Sequence, residues 1–190
     1  MPILRGETQA RLLAAILLTQ GREASITELG DETGASYGNL HGEVERLIAA
    51  GILADRRVGR TRLIRDAGSE YSRPLTELML LAYGPRTLLE EALRGIPGIS
   101  AAYLYGSWAA RYHGEAGPIP NDIDLLVIGD PDRDDVHDAA AEVASRLRKD
   151  VQVVFRTDAA WAESDDGFAQ TVKSRPIVEL NLTSVERIAA

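Results

Sequence analysis

Asp122 and Asp124 stand two residues apart at the head of an apolar run, Leu125-Leu-Val-Ile-Gly129. Side chains of a strand alternate between its faces, so both carboxylates project to one side and can share a hard cation. Mg2+ suits such a pair, because it takes one or two carboxylates and completes its shell with waters and substrate phosphates; Mn2+ accepts the same ligands. Sixteen residues before Asp122 lies Gly106, within Tyr105-Gly106-Ser107. A glycine there lets a phosphate approach the backbone, and Ser107 with the first turn of a following helix supplies donors to it. Asp150 is a further carboxylate, at the head of the apolar run Val151-Gln-Val-Val-Phe155.

The elements that must position these groups are legible around them. Ile99–Tyr105 reads as a strand, Trp108–His113 as a short helix, and 114–120 as a Gly/Pro-rich loop. Asn121–Gly129 is a buried strand. Residues 132–148 form a helix with Val136, Ala139, Ala140, Val143 and Leu147 inward, and Asp150–Phe155 is the next strand. Thr157 caps a helix containing Trp161, Phe168 and Val172 suggest another, and Arg175–Leu180 reads as a short closing strand. Trp161 and Phe168 fit a core better than a base-stacking platform. Lys173 and Arg175 read as solvated cations, and His113, just after the Gly106-Ser107 helix, reads more readily as an ordinary histidine than as a substrate contact.

Strand, Gly106-Ser107, helix, loop and Asp122-Ile-Asp124 strand in this order resemble the minimal nucleotidyltransferases of the DNA polymerase β-like superfamily, over about residues 97–182. The resemblance implies that Gly106 and Ser107 bind a nucleoside triphosphate, ATP being the expected one, and that Asp122 and Asp124 hold Mg2+ or Mn2+. It also implies in-line nucleotidyl transfer, with metal ions clamping the attacking and leaving oxygens. The family expects a third carboxylate on a later neighbouring strand. Gln152 occupies the best-matching position. Asp150 points to the same side about 6–7 Å further along. Either Asp150 substitutes from there as a third catalytic group beside Asp122 and Asp124, or the second-metal function is lost. The reading taken is a domain that binds Mg2+–nucleotide with weak or lost catalysis. The alternative is an active, antitoxin-like enzyme that transfers AMP or another nucleotidyl group to a protein, RNA or small molecule.

The N-terminal third has a different character. Leu12, Leu13, Ile16 and Leu17 form one stripe of a helix over 8–20, and Ser25-Ile-Thr-Glu28 has capping-box spacing for a helix over about 25–33. A third helix, from Ser36 to about Ala50, turns Leu40, Val44, Leu47 and Ile48 inward. Strands 52–57 and 61–65 follow, with a turn around Val58-Gly59-Arg60. Arg56, Arg57, Arg60, Arg62 and Arg65 fall within ten residues.

This order resembles the winged helix-turn-helix of bacterial transcription regulators of the ArsR-like kind, over about residues 7–66. The resemblance places the third helix in the major groove of double-stranded DNA, with Tyr37, Asn39 and His41 facing base edges and Arg56, Arg57, Arg60 and Arg62 facing phosphates. Glu43 and Glu45 oppose this, because carboxylates on that helix repel phosphate wherever they point outward. A homodimer is expected, since such regulators read paired half-sites.

The expected class is therefore α+β: a winged-helix domain over 1–70, a helical connector over 71–96 and a nucleotidyltransferase-like domain with a mixed sheet and flanking helices over 97–190. Charge divides along the same line. Residues 1–70 hold nine Arg against ten Asp/Glu, whereas residues 71–190 hold twelve Lys/Arg against nineteen, within a total of −8. The acidity is C-terminal, which leaves the first third able to face a polyanion. The absence of cysteine excludes a disulfide scaffold, a thiol nucleophile and cysteine-ligated metal. Apolar runs are too short for a bilayer and Met-Pro-Ile-Leu-Arg lacks a signal-peptide pattern, so the expectation is a cytoplasmic protein without a membrane partner.

Overall fold

The computed structural model describes residues 4–115, 117–163 and 166–183. It is a mixed α and β structure with two small sheets, and the chain divides into two compact units, up to Gly84 and from Pro85 on. The stretch 71–96, expected as one connector, is shared between them. Among the described residues no helix is long and apolar enough to cross a membrane.

The first unit begins with α1 (Glu7–Leu17), whose Leu12, Leu13, Ile16 and Leu17 are buried as the stripe requires. The capping box forms at the start of α2 (Ile26–Thr33). Ser25 accepts from the Glu28 backbone N–H, and the Glu28 carboxylate accepts from Ser25 N–H. Such a cap contributes about 1 kcal/mol. α3 (Tyr37–Ala49) buries Leu40, Val44 and Leu47. β1 (Glu23–Ser25), β2 (Leu53–Val58) and β3 (Thr61–Asp66) form an antiparallel sheet in the order β1-β3-β2. β1 is an addition to the expected hairpin. Val58 pairs with Thr61, so the turn is Gly59-Arg60, with Gly59 at φ +58° in the first central position. Two-residue hairpin turns need positive φ there, which glycine adopts without strain. α4 (Ser72–Tyr83) packs on α1 and buries Met79 and Leu80.

The second unit opens with α5 (Pro85–Leu93). It then builds a four-stranded sheet in the order β6-β5-β4-β7 from β4 (Ile99–Tyr105), β5 (Asp122–Gly129), β6 (Asp150–Arg156) and β7 (Val178–Glu179). β4 is antiparallel to β5 and to β7. β5 and β6 are parallel, so a crossover is required, and α7 (Arg133–Leu147) supplies it. α6 (Gly106–Tyr112) follows β4 directly. Ile123, Leu125, Leu126 and Val127 have no exposed surface, so β5 is covered on both faces. α7 lies on one face, where His137 and Arg133 meet Phe155. On the other, α8 (Asp158–Glu163) and α9 (Gly167–Lys173) place Trp161, Phe168 and Val172 against Leu126 and Ile128. Trp161 and Phe168 thus serve the core, as expected. β7 is shorter than the strand read over 175–180.

Candidate functional site

The carboxylates stand at the start of β5, ahead of its buried stretch. Asp124 lies in register between Tyr105 of β4 and Gln152 of β6, and Asp122 lies in register with Asp150. The period of the strand puts Asp122, Asp124, Asp150 and Gln152 on one face. Asp124 is half-buried, whereas the other three are exposed. Burial, with the neighbouring Asp122 charge second, holds the Asp124 carboxyl above its usual range. Burial, the Asp124 charge next, also raises the Tyr105 phenol, partly offset by Arg156.

Gly106 adopts φ +66°, and a Cβ there would run into the Asp124 carboxylate, 3.2 Å from its carbon. The carboxylate therefore lies against bare backbone, and no other residue fits that position. Ser107 is exposed on the first turn of α6. Two carboxylates on one face beside a glycine-lined approach fit a single hard divalent cation that draws its remaining ligands from water and phosphate. They do not by themselves make a protein-enclosed site. Among the described residues no group of three His, Asp or Glu side chains could hold a metal.

Gln152 is bound into this face. Its amide N–H donates to Asp122 Oδ2 at 3.2 Å. An amide at this position contributes neither negative charge nor a proton acceptor comparable to a carboxylate. Asp150 opposes Asp122 rather than Asp124, two residues before Gln152 at the start of β6. His113 is engaged elsewhere, with Nε2 3.1 Å from the Ile177 carbonyl. The Lys173 ammonium donates to the Trp161 carbonyl and covers its ring. Arg175 is exposed.

Sequence reasoning passed over Lys149. It directly precedes Asp150 and is buried, with 6% of its surface exposed. Its ammonium stands 5.7 Å from the Trp108 ring centre. Burial lowers its pKa and the Asp122 charge partly restores it. A lone lysine ahead of a strand carries no sequence signal; only the chain's return from α7 brings it here.

In the first unit the hairpin arginines fall into two groups. Arg56 forms a two-pronged ion pair with Glu23, with Nε at 2.8 Å from both carboxylate oxygens. Arg62 joins Asp55 at 2.7 Å and also pairs with Glu45 of α3. Arg57 and Arg60 are exposed, with no ion pair among the described residues. Arg57 lies directly opposite Arg62. Like charges so placed repel, and Asp55 and Glu45 offset this. The Arg62 hydrogen bond holds the Glu45 carboxyl low, while Glu43 pairs with Arg46. The acids of α3 are thus answered within the unit. Tyr37 is 64% exposed, its ring 5.9 Å from that of His41, and Asn39 is exposed beside them. His41 in turn stands 3.7 Å from Glu45.

Two solved structures are similar to parts of the chain. One concerns the regulation of DNA binding of Bordetella bronchiseptica BpsR by 6-hydroxynicotinic acid. It shares 27% identity over 39% of this chain and 55% of that one, with a TM-score of 0.33. The chain thus spans about half the length of BpsR. The other is a mutant of the toxin–antitoxin MntA–HpeT, with 22% identity over 56% of this chain and 73% of that one, and a TM-score of 0.34. No protein-family model and no curated protein matches the chain.

Proposed function

We propose that this chain is a DNA-binding transcriptional regulator: a winged helix-turn-helix fused to a nucleotidyltransferase-like domain that binds a Mg2+–nucleotide, ATP being the expected one, with weak or lost transfer. The observation that carries the reading is Gln152. Where transfer chemistry calls for a third carboxylate beside Asp122 and Asp124, its amide donates to Asp122 instead. In this reading Asp122 and Asp124 hold the cation, and Gly106 and Ser107 receive phosphate. A bound Mg2+ would neutralise phosphate charge. Tyr37, Asn39 and His41 face base edges. Arg57 and Arg60 take phosphates, whereas Arg56 and Arg62 brace the hairpin through Glu23, Asp55 and Glu45. The regulator acts as a homodimer on paired half-sites. Nucleotide changes DNA affinity only if it prefers one state of the protein, and the coupling is then reciprocal.

The test pairs two assays on the full chain. Duplexes enriched by selection are titrated by fluorescence anisotropy with and without Mg2+–ATP, and label transfer from α-labelled ATP to a lysate is compared with Asp122→Ala/Asp124→Ala. The expected result is specific DNA binding that shifts with nucleotide, and transfer no greater than the double variant's. Equal DNA affinity with and without nucleotide would remove the sensor role.

The second reading, an active antitoxin-like transferase, draws on Asp150, which shares the face and the register of Asp122. Transfer by the wild type that Asp150→Asn abolishes would establish it in place of the first.

A further inference from the structure

A buried donor and a largely buried cation meet beside the carboxylate face, neither with an acceptor. The indole N–H of Trp108, a residue with no exposed surface, has no hydrogen-bond partner. The Lys149 ammonium stands over that ring, and no hydrogen bond or ion pair reaches it among the described residues. Trp108 lies two residues after Gly106, against which the Asp124 carboxylate rests. Lys149 lies one residue before Asp150, the register partner of Asp122. The segments that build the site thus also bring these donors together. Lys149 keeps 6% of its surface exposed, so its ammonium is largely withdrawn from water without an acceptor, and an anion that reaches it relieves that cost. Asp122 answers it only through space, since its Oδ2 accepts from Gln152 and it makes no ion pair with Lys149.

Charge balance points the same way. One divalent cation between Asp122 and Asp124 is offset by the two carboxylates, which leaves a polyphosphate's own charge unanswered. A second metal would answer it, but Gln152 stands at the carboxylate position that metal would need. Lys149 is the fixed cation that the chain places there.

We propose that Lys149 is a phosphate-binding residue of this site, its ammonium taking an oxygen of a nucleotide's polyphosphate in place of a second metal ion. The proposal rests on the nucleotide-binding reading above. It implies that polyphosphate binds, more weakly, even without divalent metal.

The experiment follows Trp108 emission in the full chain carrying Trp161→Phe, which leaves Trp108 as the one tryptophan. Mg2+–ATP, ATP with EDTA and inorganic tripolyphosphate are titrated in turn. Lys149→Met should raise the Kd for Mg2+–ATP and for tripolyphosphate about tenfold or more, one lost charge-assisted hydrogen bond. Lys149→Arg should stay within a few-fold of wild type. Mn2+ affinity, read by spin resonance, should not fall in Lys149→Met, because a cation beside Asp122 has been removed; general damage to the site would lower it. Lys149→Gln serves the same comparison should the methionine variant fail to fold. Unchanged Mg2+–ATP affinity in the folded variant overturns the proposal and leaves the nucleotide-binding reading standing. Tripolyphosphate binding that needs Lys149, in a protein indifferent to Mg2+–ATP, supports the anion site and overturns that reading. Binding of neither probe by the wild type overturns both.

Discussion

The division of the hairpin arginines makes a quantitative prediction about DNA. A cation that neutralises one phosphate of duplex DNA steepens the dependence of log K on log salt by about 0.9. Arg57 and Arg60 are exposed and uncommitted, so each is available for one phosphate. Replacing both by alanine should flatten the slope by about 1.8, which corresponds to about 60-fold in affinity at 0.1 M salt. Arg62 is already answered by Asp55 and Glu45, and Arg56 by Glu23. Arg62→Ala should therefore weaken binding with little change in slope, by releasing two carboxylates near the DNA and loosening the hairpin from α3. Adding Glu45→Gln should restore part of the loss. The assay is anisotropy of one labelled duplex between roughly 50 and 200 mM salt, the range over which phosphate contacts are most visible. If Arg62→Ala flattens the slope as much as Arg57→Ala/Arg60→Ala does, or if the double variant leaves it unchanged, the assignment of roles is wrong.

Three further outcomes follow from the second unit. Gln152→Asp places a third carboxylate beside Asp124; it should tighten Mn2+ binding and raise label transfer well above wild type, and equal transfer would show that Gln152 is not what limits the chemistry. Gly106→Ala forces an alanine into left-handed backbone and against the Asp124 carboxylate; a loss of about 1–3 kcal/mol in denaturant unfolding is expected, with Mn2+ affinity falling too. Asp124 binds its proton more tightly folded than unfolded, so its contribution to stability is lost as pH rises from the usual carboxylate range through its raised value. Asp124→Asn should accordingly melt higher than wild type near neutral pH without metal, and the difference should vanish in acid. A constant difference across that range would refute the assignment.

Local rules carried the sequence reading far. Ser25 and Glu28 declared a helix start that forms as read, and the alternation of Asp122-Ile-Asp124 and Val151-Gln-Val fixed which side chains share a face. Both are interactions of near neighbours, which period and spacing encode directly. Partners distant along the chain were not legible. Glu23 meets Arg56 across 33 positions, and Glu45 meets Arg62 only because the hairpin folds back on α3. The hairpin therefore read as uniformly basic, although only part of it is uncommitted. β1 escaped notice because three residues are too few to show a period, and β7 was overextended for the same reason.

The placement of the carboxylates on β5 also sets what a bound ligand could disturb. β5 is an inner strand, hydrogen-bonded on both sides and buried on both faces. Its amides should be among the slowest to exchange with deuterium, opening only when the whole unit unfolds. A ligand seated at its end then gains little by reshaping it. The two-residue edge strand β7 and the short helices α8 and α9 are held by far fewer bonds. Isotope exchange with and without nucleotide should show protection spreading into those peripheral segments while the central strand stays silent. Any message from the site would then leave through the rim of the sheet, with its middle acting as a fixed anvil.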